Sequence, residues 1–118
     1  MLRTERSYTS RRLCAYQAIP NFYHFCNRAF SGLRTRHDGI FVGDGERMMT
    51  ATYNSWGTCN VAIVSSDTSV LTVNREDATA KIYQIISTCD GKWGSIAMSG
   101  GVKGRNGRAI FTLSAKLK

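Results

Sequence analysis

The sequence predicts an α+β fold, a two-layer α/β sandwich in which two helices pack on one face of a mostly antiparallel sheet, stapled by two disulfides. Three observations predict it. Two segments carry one apolar stripe each at helical spacing, and the segments around them are rich in Thr, Val, Ile and aromatic residues. The four cysteines divide evenly, Cys26 and Cys89 on the helical stripes, Cys14 and Cys59 in strand-like segments. Two helices with one apolar stripe each need one sheet face to cover.

The elements follow in order. Residues 1–12 have no apolar periodicity and read as a flexible basic arm. The domain then runs from 13 to 118, opening with a short strand, "LCAYQA" (13–18). Pro20 and Asn21 start a helix whose apolar residues Phe22, Phe25, Cys26, Ala29, Phe30 and Leu33 recur at i, i+3, i+4, i+7, i+8 and i+11. "GIFVG" (39–43) reads as a short strand and "DGE" (44–46) as a turn. "RMMTATYNSW" (47–56) and "TCNVAIVSS" (58–66) read as strands, with Gly57 either a bulge in one long strand or the break between two. "TSVLTV" (68–73) extends the sheet. Asn74 is an N-cap, with Glu76 and Asp77 in the first turn to suit the helix dipole. The helix that follows places Ala78, Ile82, Ile85, Ile86 and Cys89 on one face, and Asp90-Gly91 ends it. "GSIAMSG" (94–100) and "RAIFTLSA" (108–115) close the chain as a hairpin, with Asn106-Gly107 as its turn signal.

Composition narrows the class. A chain of 118 residues, 42% hydrophobic and 20% charged, is a single globular domain. No apolar run approaches a membrane span, and the polar, basic opening "MLRTERSYTSRR" has no signal-peptide h-region. The cysteines lack C-x-x-C spacing, and only His24 and His37 could join them, so neither a zinc site nor another metal or cofactor site is expected. Four widely spaced cysteines suit two disulfides and an oxidising, extracellular setting. Four cysteines allow three pairings. Helix-to-sheet staples fit the architecture and predict Cys26–Cys59 with Cys14–Cys89, each adding about 2–4 kcal/mol.

The formal net charge of +8 is uneven. The arm carries Arg3, Arg6, Arg11 and Arg12 against Glu5, the last loop carries Lys103, Arg105 and Arg108, and Lys116 and Lys118 follow. Residues 13–102 hold seven basic and seven acidic side chains and are neutral. That distribution is unlike the basic helix face of a DNA-binding domain, and suits weak attraction to polyanions.

"YNSWGTCNVAIV" (53–64) resembles a segment of the killer-toxin-like and necrosis-inducing-factor-like effector proteins of fungi. In these small secreted proteins a cysteine-bearing amphipathic helix precedes a W/Y-G-T/S-C strand. A second helix and a Gly-rich final hairpin follow. The matching residues are Cys26, Trp56-Gly57-Thr58-Cys59, the helix from Ile82 to Cys89, and Gly100-Gly101, over about residues 20–115 in order of elements. The resemblance implies an extracellular α/β sandwich acting on a host plant or a competing microbe, in a group where many members have no known enzymatic activity. The chain departs from many relatives in having only four cysteines. In that setting Arg11-Arg12 reads as a kexin-type processing site, cleavage leaving Leu13 first.

The expected function is therefore binding of a host or competitor protein or cell-surface molecule, without catalysis. The candidate recognition residues are Lys103, Arg105 and Arg108, with Trp93, beside Lys92 at the exposed start of a strand and expected to be partly at the surface, as a fourth. The glycines of this loop do not make a nucleotide loop, because the segment that follows them reads as a strand and not a helix. Two alternatives remain. A small secreted ribonuclease would use His24, His37, Glu46, Glu76, Arg36 and Arg47 for acid–base and phosphate chemistry. A single-strand nucleic-acid binder would stack bases on Trp93 beside the basic loop.

Overall fold

The computed structural model describes residues 12–18, 22–89 and 92–115. Strands β1 (Arg12–Ala18), β2 (Ala51–Trp56), β3 (Cys59–Ser65), β4 (Lys92–Ser99) and β5 (Arg108–Ala115) form one sheet in the order β1-β4-β5-β3-β2, every neighbouring pair antiparallel. Helix α1 (Phe22–Ser31) packs against β2 and β3, and helix α2 (Arg75–Cys89) against β4, β5 and β1. The fold is α+β with two disulfides, Cys14–Cys89 and Cys26–Cys59, the pairs expected from helix-to-sheet placement.

The strand pattern explains the core. Along β3, Cys59, Val61, Ile63 and Ser65 are buried while the residues between them are not. Pairing sets Val61 opposite Leu113 and Ile63 opposite Phe111, and Phe111 in turn opposite Ile96. Directly opposed residues share a sheet face, so one face collects these apolar side chains. The core cluster joins them to Cys26, Ala29 and Phe30 of α1 and to Ala78, Ile82 and Ile85 of α2. The stripe residues Cys26, Ala29, Phe30 and Leu33 of the first helical segment and all five of α2 are buried as their spacing requires, and Phe25 is half-buried against them. Asn74 caps α2, its Oδ1 accepting from the Asp77 N–H at 2.8 Å.

Arg75 opens α2 and holds α1. Its guanidinium stacks over the Phe30 and Phe41 rings, 5.3 and 5.6 Å from their centroids. It also donates to the Phe30 and Leu33 carbonyls, at and just beyond the C-terminus of α1. The Phe30 carbonyl also accepts from the Leu33 N–H at 3.1 Å, in the turn that closes the helix. Burial pushes the Arg75 pKa down from its ordinary value.

One choice left open by the sequence is settled, and three expectations about strands change. Gly57 marks a break: Gly57-Thr58 is a two-residue turn between β2 and β3, with Trp56 paired to Cys59. Gly57 adopts φ +61, and a Cβ there would meet the Phe25 ring, so glycine is required twice over. Residues 39–43 form no strand. Asp38 reverses the chain, accepting from Arg36 and from the Ile40 N–H, and Thr35–Phe41, Ile40–Asn74 and Val42–Met48 pair only as isolated bridges. The strand expected from residue 47 begins at Ala51. Residues 68–73 do not extend the sheet either. Thr68 turns the chain at φ +64, and only Leu71 pairs, as an isolated bridge to Val102.

Candidate functional site

The last loop, residues 100–107, leaves β4 at Ser99 and enters β5 at Arg108. It is not a free two-residue turn on Asn106-Gly107. It is bonded along its length to the segment 66–73 that follows β3. The Gly101 carbonyl accepts from the Thr72 and Val73 N–H groups at 2.9 and 3.1 Å. The Lys103 N–H donates to the Val70 carbonyl at 2.9 Å, and the Gly104 N–H to Ser69 Oγ at 2.9 Å. The Arg108 N–H donates to Ser66 Oγ at 2.9 Å, and the Ser66 N–H returns to the Arg108 carbonyl at 2.9 Å. Val102 is buried in the core between these bonds. Gly100 and Gly101 reverse the chain at φ +81 and +82, where residues with a Cβ are disfavoured.

Asp67 lies at the centre of the clasp. Its Oδ1 accepts from Ser65 Oγ at 2.9 Å, Ser69 Oγ at 2.6 Å and the Ser69 N–H at 3.0 Å. These bonds, those from Ser69 first, hold its carboxyl below the usual carboxylate range. A Cβ at Gly104 or Gly107 would run into the Asp67 carboxylate. Those two glycines thus let the loop backbone close over an acidic turn. The sequence reading missed this turn, although "SSDTS" (65–69) carries the Asp/Ser signature of a side-chain-stabilised turn.

The clasp presents Lys103 and Arg105 to solvent and leaves Arg108 half-buried. Among the described residues none of the three forms an ion pair, whereas Arg34 pairs with Asp44 and Arg36 with Asp38. Trp93 does not belong with them. It is half-buried, packs against the core, and sits near the opposite end of β4 from the loop. Its strand register, not an exposed start, decides its surroundings. Arg12 is the first residue of β1 and pairs with Ile96, so the arm expected to reach residue 12 does not include it; Arg11 lies outside the described residues.

The histidines lie at opposite ends of the sheet. His24 stacks on Phe25, whose ring packs at the Gly57 turn. His37 adjoins the Asp38-Gly39 reversal, which packs on Asn74 and Arg75 beyond the other end of β3. Among the described residues no hydrogen bond or ion pair joins either histidine to the other, to Glu46 or to Glu76. No group of three or more His, Cys, Asp or Glu converges among the described residues as a metal ion would need, and no described helix is long and apolar enough to cross a membrane. No family model matches the sequence, and neither a curated protein nor a solved structure matches it.

Proposed function

We propose that this protein is a secreted binding protein of the killer-toxin-like or effector kind, a two-layer α/β sandwich that engages a host or competitor macromolecule through Lys103, Arg105 and Arg108. One observation carries the reading. Two exposed cations stand on a loop whose backbone is hydrogen-bonded to a neighbouring segment at both ends and at its middle. A loop held in this way loses little conformational freedom on binding, and fixed cations recognise an acidic surface at low entropic cost. The acidic group beneath the loop, Asp67, is engaged by Ser65 and Ser69. Two disulfides in so small a domain support an oxidising, extracellular setting.

The test is charge reversal. Lys103→Glu, Arg105→Glu and Arg108→Glu together are expected to abolish binding of the labelled protein to plant or microbial cell surfaces. The melting temperature should stay within a few degrees of the parent, since surface changes cost about 0.5 kcal/mol or less each. Undiminished cell binding by the triple variant would show that the loop is only a connector.

A further inference from the structure

We propose that the protein pairs with a second copy of itself through the free edge of β2, joining two sheets into one. The argument begins with hydrogen-bond direction. Gly57-Thr58 is a two-residue turn, and the Ser65 N–H donates to the Thr50 carbonyl at 2.9 Å. In an antiparallel pair, inward and outward groups alternate. Thr50, Thr52, Asn54 and Trp56 therefore face β3, while Ala51, Tyr53 and Ser55 turn their N–H and C=O groups to the edge. Among the described residues no strand flanks that edge, and no isolated bridge involves residues 51–56. One residue earlier in the same alternation, the Met49 carbonyl is already taken by the Leu71 N–H at 2.7 Å. The free edge is thus the triplet Ala51, Tyr53, Ser55.

This triplet is suited to a two-fold axis. With Tyr53 opposite Tyr53 of the second copy, the two residues exchange both backbone hydrogen bonds. Ala51 of each copy then faces Ser55 of the other. Asn54, on the core face, is held to α1 by its side chain, which donates to the Ala29 carbonyl at 3.0 Å. Tyr53 is on the opposite face, in a cross-strand row with Ala62, Thr112 and Ser95, and is 73% exposed. Pairing would bring two tyrosine side chains together across the axis.

Charge selects a second copy as the occupant. Two molecules of net charge +8 repel wherever their cations meet. Residues 48–66, which span β2 and β3, contain no Asp, Glu, Lys, Arg or His. The hairpin carries no charge of its own; the cation over it, Arg28 of α1, lies on the Trp56 ring, 4.4 Å from its centroid, at the turn end of β2 and away from Tyr53, so pairing centred on Tyr53 sets no like-charged strand residues opposite each other. Assembly also stops at two. The pairing uses up both β2 edges, and the other sheet edge is β1, whose register with β4 breaks between Cys14 and Ala18. Such irregularities and edge charges block further strand addition.

Sedimentation velocity on the intact, oxidised protein tests this from about 10 µM to about 1 mM, the range for a small interface. The parent is expected to shift from monomer to dimer across that range. Tyr53→Lys, which sets two ammonium groups opposite each other, should weaken association at least about tenfold. Ser55→Pro, which removes one outward N–H and no bond to β3, should do the same. Both variants should keep two disulfides by intact mass. Amide exchange of Tyr53 and Ser55 should slow with concentration in the parent and not in Tyr53→Lys. A parent that stays monomeric at the highest concentration overturns the proposal. So does a dimer that forms equally well with both variants, which would place the contact elsewhere.

Discussion

β1 and β2 both border the sheet, yet they are guarded by different means. β1 is bonded covalently to α2 through Cys14–Cys89, starts at Arg12 and slips register midway along β4. β2 carries no cysteine and no charge, pairs with β3 in unbroken register, and is overlaid by a helix whose own bridge goes to β3. One border is closed by chemistry and irregularity. The other is regular, and strand pairing, packing and the Asn54 hydrogen bond to α1 hold it. Natural sheets meet the edge problem by either route or by burying the edge. Having both in one sheet separates what holds a strand from what keeps other strands away.

The largest test removes the covalent guard. Cys14→Ser with Cys89→Ser opens a ring of sequence separation 75, a loop-closure effect of about 4 kcal/mol. The melting temperature should fall by about 15 °C for a domain of this size. A loss under about 1 kcal/mol would show that β1 holds by strand pairing alone. A smaller loss is expected from the packed side. Arg75→Met keeps the aliphatic stem against Phe30 and Phe41 but removes two hydrogen bonds to carbonyls at the end of α1. About 2 kcal/mol should be lost in chemical denaturation. The increased exchange should concentrate in α1 and β2, leaving β1 as before.

Acid is the mildest probe. The disulfides do not titrate, whereas the turns beside the β2 end of the sheet are held by Asp38 and Asp67. Both carboxyls lie below the usual range, Asp38 through Arg36 first and Asp67 through Ser69 first. A depressed carboxyl stabilises the fold above its unfolded pKa, and that contribution is lost as pH falls through its folded value. Below about pH 4, amide chemical shifts of Ser69, Leu71 and Gly104 should therefore move before those of Leu13 and Cys14. Simultaneous movement would mean that the clasp and β1 share one cooperative unit.

The legible part of the fold was the part governed by local period. Ala78, Ile82, Ile85, Ile86 and Cys89 all lie on the buried face of α2, and Asn74 caps it, because stripe and cap are properties of one helix. The cysteine pairs could be inferred because two cysteines lay on helix stripes and two on strands. Residues 39–43 and 68–73 misled because their apolar residues are buried without a strand. Phe41 and Leu71 are fully enclosed, yet each pairs only through an isolated bridge. Side-chain burial and backbone pairing are separate demands, and β-type composition reports only the first. At the candidate site the cations and glycines were visible. The purpose of Gly104 and Gly107 was not, since it depends on Asp67 approaching from another segment. Trp93 is partly at the surface, as a residue near a strand start should be, but its distance from the loop along β4 follows from the hairpin and not from its own neighbours in sequence.

β5 is the last strand in chain order and lies in the middle of the sheet, between β4 and β3. Take residues 108–115 away and the other described strands fall into two separate pairs, β1 with β4 and β2 with β3, with no sheet between them. Phe111 and Leu113, which are paired on both sides, are what joins them. The five-stranded sheet therefore has no continuous form without its final strand.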